Sequence, residues 1–181
     1  LGYQSPVRRK NWTIGFLIAG ILLAVISLVV TNAEDELIDR LLAGERVSDS
    51  EIDDNDLLVL SVAMVGVVLY IATVVVFSMW IHRVSANLKP LDVSDQRFTP
   101  AWAVGWWFIP IMWLWRPYQV VKEILKGSDP YYVGDRAGNW EQAPVWRWLG
   151  WWWGIWIISG MVGTAAFRGY WSAVTLEEIR E

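Results

Sequence analysis

"LLVLSVAMVGVVLYIATVVVFSMWI", Leu57 to Ile81, is 25 residues long and carries no charged side chain. A helix rises about 1.5 Å per residue, so the run covers ~37 Å, more than the ~30 Å hydrocarbon core of a bilayer. That reading sets the class: an all-α integral membrane protein.

The pattern repeats on either side. Trp12 to Val30 has no charge, and neither have the 20 residues from Trp148 to Phe167. Three long transmembrane helices are expected, over 12–31, 57–82 and 148–168, within a single membrane domain 1–181. Arg8, Arg9 and Lys10 precede the first of them, which is too long for the core of a cleavable signal. A fourth run, Ala101 to Trp115, has only fifteen residues and holds Pro110. Proline removes a helix hydrogen bond and bends the chain. The segment 101–115 therefore reads either as a short Pro-kinked span or as a re-entrant segment.

Charge asymmetry gives an orientation. The stretch from Thr31 to Asp56 holds ten carboxylates against Arg40 and Arg46, while Arg83, Lys89 and Arg97 follow the second run. By the positive-inside rule the N-terminus is cytoplasmic and the acidic connection 32–56 lies outside. If 101–115 re-enters, Arg116, Lys122, Lys126, Arg136 and Arg147 also stay inside. The acidic connection has helical spacing at Leu37, Leu41 and at Ile38, Leu42, with Gly44 as a stop. "SDSE", Ser48 to Glu51, has the form of a capping box. A long first hairpin is expected, helical over Asn11–Ala43 and Asp49–Ala86, projecting outside with 44–48 as its tip.

Composition narrows function mostly by exclusion. The chain has 181 residues, no cysteine, one histidine and a net charge of −4. No thiolate metal site or disulfide can form, and the net charge argues against a nucleic-acid binder, which would show a basic face. The four runs lack the ionisable groups that mark ion paths and proton relays. No catalytic constellation and no cofactor are expected. His82 and the carboxylates Asp49 to Asp56 read as interfacial and solvated groups rather than ligands.

Fifteen tryptophans are the surplus. "APVWRWLGWWWGIW", Ala143 to Trp156, holds six of them. Indole favours the headgroup boundary, so an anchor is one reading, and Trp12, Trp80, Tyr170 and Trp171 fit it. A contact surface is the other, with Trp148, Trp152 and Trp156 on one helix face and Trp106, Trp107 and Trp113 in the short run. Small residues at i, i+4 add packing faces: Gly15 with Ala19, Ser159 with Gly163, and Gly160 with Thr164.

"WIHRVSANL" (Trp80 to Leu88) and "RFTPAWAVGWWFIPIMWLWRPYQVVKEIL" (Arg97 to Leu125) are the most distinctive stretches. They resemble domain-of-unknown-function family 4328, a bacterial multi-helix membrane domain. The matching elements are Trp80, Arg83, Asn87, Leu88, Arg97, Pro100, Trp102-Ala103-Val104, Trp106-Trp107, Pro110 and Leu114-Trp115-Arg116-Pro117-Tyr118. Met112-Trp113 departs from the small or polar pair common there. The resemblance implies a shared core around the third segment and residence in a bacterial plasma membrane; it brings no activity.

Two functions follow as expectations. One is a non-catalytic accessory or scaffold subunit, packed among lipids and other integral membrane subunits, with respiratory or photosynthetic assemblies as candidate hosts. The other is a module that binds anionic lipid or a small anion through Arg83, Asn87, Arg97 and Arg116, since guanidinium groups grip phosphate bidentately.

Overall fold

The computed structural model describes residues 2–93, 95–132 and 137–178. Arg136 lies outside them, as do the side chains of Ala166, Phe167, Tyr170 and Trp171. The described residues form helices and turns without a strand. The chain divides into two compact units, Gln4–Val84 and the part from Ser85 onwards.

The first unit is the hairpin. Helix α1 runs Val7–Leu42 and α2 Asp49–Ala86, 36 and 38 residues. At 1.5 Å per residue each is ~55 Å long. Both are long and apolar enough to cross a membrane, and of their most apolar stretches only 11% in α1 and 0% in α2 is buried. Apolar side chains therefore face outwards nearly all round.

The tip closes as its sequence suggests. Glu45 N–H donates to Arg40 C=O and Gly44 N–H to Leu41 C=O, the two bonds of a Schellman motif. Gly44 supplies the positive φ, +78°. Only half of the capping box forms. Ser48 Oγ accepts from Glu51 N–H at 3.3 Å, but the Glu51 carboxylate does not reach back. Arg40 takes it instead, at 2.6 Å, and holds Glu45 at 3.2 Å. A full charge outcompetes a backbone N–H for that carboxylate.

The second unit is built differently. After a 3-10 turn at Lys89–Leu91 come α3, Pro100–Gly105, and α4, Arg116–Gly127; α5, Trp148–Glu178, follows a 3-10 turn at Ala137–Gln142. Leu88, Val93 and Trp140 form a buried cluster with Leu91, Ile124 and Tyr132 packed on it. Helix α4 offers it a face at helical spacing, Pro117, Val120, Glu123 and Gly127.

The segment 101–115 is neither a kinked nor a continuous helix. Thr99 Oγ1 caps α3 by accepting from Trp102 N–H, with Pro100 at the first helical position. Six residues later the helix stops and tight turns carry the chain through Trp106 to Ile111. Six residues span only ~9 Å. Pro110 does not bend a helix because the helix has already ended. The last of these turns holds Ile111 at a φ of +70°, unfavourable for a β-branched residue.

Candidate functional site: a layer of arginines and indoles

Phe98 is buried at the centre of the second unit. The guanidinium carbons of Arg97 and Arg116 lie 5.7 Å and 5.9 Å from its ring centre. Arg116 also lies 5.1 Å from the Trp106 ring. The ring faces attract each guanidinium group through their quadrupoles. Arg116 Nη1 donates to Gln119 Oε1 at 3.3 Å, while its Nε is buried with no hydrogen-bond partner.

One carboxylate holds this layer in register. Glu123 is 7% exposed and accepts from the backbone N–H groups of Arg97 at 3.0 Å and Phe98 at 3.3 Å. Burial pushes its carboxyl above the ordinary glutamate range, and the two N–H bonds pull the other way without overcoming it. Gln96 Nε2 donates to Ser85 Oγ at 2.9 Å, and Lys126 Nζ donates to Glu141 C=O. Beside this network lies a hollow of ≈ 430 Å³ lined by Arg97, Phe98, Tyr118, Lys122, Glu123 and Trp140. Lys126, Asp95 and Glu141 line it too, so three cations and three carboxylates share its wall.

The indoles form the adjoining layer. Trp153 stacks on Trp156 at 4.7 Å and 19°. Trp107 meets both edge-on at 5.9 Å, and Trp113 meets Trp156 at 5.2 Å. Trp153 Nε1 donates to Leu114 C=O at 2.9 Å. The turns from 106 to 114 are thus bolted onto the first half of α5.

Of the anion set expected from sequence, Arg97 and Arg116 come together over Phe98. Asn87 is buried, and Arg83 lies in the last turn of α2, in the hairpin unit. The tryptophan set divides. Trp107, Trp113 and Trp156 pack inwards, while Trp148 and Trp152 stay 75% and 44% exposed. The ridge of Trp148, Trp152 and Trp156 is therefore not one surface. Helix α5 turns Leu149, Trp153, Trp156 and Gly160 towards the rest of its unit.

The small residues divide too. A methyl group at Gly160 would sit 3.7 Å from the Trp113 ring, and Thr164 Oγ1 donates to Gly160 C=O. Gly15 and Gly163 have open space beside them, Ser159 is exposed, and Ala19 is half-buried. His82 is exposed, and among the described residues no cluster of His, Asp and Glu suits a metal ion. Glu123, Phe98 and Trp153 are the important residues that sequence reasoning missed. Trp153 left a signal, the spacing of Leu149, Trp153, Trp156 and Gly160; Glu123 left none.

A family profile described as Domain of unknown function (DUF4328) matches residues 43–181. The chain belongs to this family. Its matched region takes in α2, the arginine layer and the indole layer. Within it Leu88 and Pro117 are fully buried, Pro100 opens α3, and Arg97 and Arg116 lie against the Phe98 ring. No curated protein and no solved structure matches this DUF4328 chain.

Proposed function

We propose that this chain is a non-catalytic integral membrane protein that packs in a larger membrane assembly as an accessory or scaffold subunit. Helices α1 and α2 cross a bacterial plasma membrane with the N-terminus cytoplasmic, and α5 crosses again over 148–168. The segment 101–115 stays on the cytoplasmic side, because a six-residue helix is too short to span. The observation that carries the subunit reading is the outward face of α5. Trp148, Trp151, Trp152 and Ser159 are exposed, and Gly163 has open space beside it. Gly150 and Gly154, four apart, also have open space. Small residues on an outward face let a second helix approach closely, and rigid indoles add contact area.

Mild solubilisation from native membranes followed by intact-particle mass analysis tests it. A particle well above 20.8 kDa with defined protein partners is expected, and Gly163→Leu with Gly154→Leu should release them. A lone chain carrying only phospholipid would overturn the subunit reading.

A second reading rests on one different observation, the buried Arg116 Nε that lacks an acceptor. A buried cationic donor is costly unless it is paired. A phosphate or lipid headgroup at Arg97 and Arg116 would supply that acceptor. Replacing Arg83, Arg97 and Arg116 with glutamine should then abolish binding of inorganic phosphate; unchanged binding removes this reading.

A further inference from the structure

The hairpin holds a crevice that neither reading uses. Between α1 and α2 runs a slot of ≈ 630 Å³ walled by small and aliphatic residues, among them Gly20, Ala24, Ala63, Gly66 and Leu69. Near the start of α1 lies a second hollow of ≈ 510 Å³, with Arg8 and Arg9 on it beside Trp12, Val76 and Met79. Phe16 lines both, so the two adjoin at its ring.

We propose that this crevice holds one anionic phospholipid, with its headgroup at Arg8 and Arg9 and one acyl tail in the slot between α1 and α2. The inference rests on α1 and α2 crossing the membrane.

Charge complementarity chooses the occupant. The ion pairs among the described residues are those of Arg40, at the tip of the hairpin. The first carboxylate along α1 is Glu34, 25 residues (34 − 9) beyond Arg9, or ~37 Å along the helix. Arg8 and Arg9 therefore meet a headgroup without local competition. Trp12 brings an amphipathic indole to the same mouth, packed 6.2 Å from Phe16. Beyond Phe16 the crevice turns apolar.

Shape and depth fit the same molecule. The lining residues on α1 extend from Phe16 to Thr31, about 22 Å at 1.5 Å per residue, more than the ~15 Å depth of one leaflet. An unfilled slot at hydrocarbon depth forfeits dispersion contacts on both walls. A tail fills it without bringing a polar group. An amphiphile with its charge at one end suits a crevice with its cations at one end.

The test uses the full chain in neutral detergent, with native mass spectrometry after addition of phosphatidylglycerol or phosphatidylcholine of equal chain length. One phosphatidylglycerol should be retained per chain, and phosphatidylcholine roughly tenfold less. Arg8→Gln with Arg9→Gln should remove that preference, whereas Arg46→Gln, exposed at the opposite end of the hairpin, should leave it unchanged. Gly66→Phe fills the slot and should lower retention of both lipids. Ala63→Leu is the milder second variant, with helicity checked by circular dichroism. Equal retention of the two lipids, or a preference that survives Arg8→Gln with Arg9→Gln, overturns the proposal. An alkaline wash that strips the chain from membranes refutes the spanning reading itself; a chain that stays but does not select phosphatidylglycerol refutes only the crevice.

Discussion

The hairpin and the unit after it solve the same problem by opposite means. From Leu57 to Ile81, α2 buries a single residue, Ile81. It needs no partner side chain in particular, only an apolar surrounding. The second unit buries Leu88, Phe98, Ala103, Val120 and Trp153 and ties Ser85, Glu123 and Trp153 into specific hydrogen bonds. The first region depends on its solvent, and the second on named contacts. Substitutions should therefore weigh very differently in the two.

The largest effect is expected at Trp153, which stacks on Trp156 and donates to Leu114 C=O. Trp153→Ala should cost ~3–5 kcal/mol, measured by denaturant unfolding of the second unit in detergent. Leu88 is fully buried, and Leu88→Ala should cost ~2–5 kcal/mol. Leu28 on α1 is 66% exposed, and Leu28→Ala should scarcely move the same transition. Equal losses at Leu88 and Leu28 would break the contrast.

Glu123→Gln comes next. The amide keeps one acceptor oxygen and turns an N–H₂ towards the other backbone N–H, which should cost ~1–3 kcal/mol. A pH signature separates this from simple loosening. The folded carboxyl titrates above its unfolded range. The folded state therefore favours the proton, so this contribution is complete below about pH 4.3 and is lost as pH rises through the raised folded value. Unfolding midpoints followed from pH 4 upwards should show that decline in the parent and not in Glu123→Gln. The hairpin tip should respond least. Gly44→Ala forces a side chain into positive φ and should cost ~1 kcal/mol, and Arg40→Ala, at a solvent-screened pair, should move the midpoint less still.

The same contrast decides what the sequence disclosed. Helices α1 and α2 were legible to within a few residues because hydropathy, Gly44 and Ser48 are local signals. Segment 101–115 was not. Its length and Pro110 left a kinked span and a re-entrant segment both open, and the structure ends the helix at Gly105 and ties the turns to α5 through Trp107, Trp113 and Trp153. Those contacts join residues some 40 positions apart, and no local period encodes them. Arg97 and Arg116 could be picked out as flanking cations. Glu123 could not, since a glutamate among Lys122 and Lys126 looks like part of a solvated face until its backbone partners are seen.

The most direct test exploits the absence of cysteine. Single cysteines at Val25, Ser48, Val67 and Lys122 would be labelled with a membrane-impermeant maleimide in sealed vesicles and again after lysis. Val25 and Val67 should stay unlabelled in intact bilayers, while Ser48 and Lys122 should label from opposite sides. Labelling of Ser48 and Lys122 from one side, or of Val25 and Val67 without detergent, would contradict a hairpin that crosses twice before the arginine and indole layers begin.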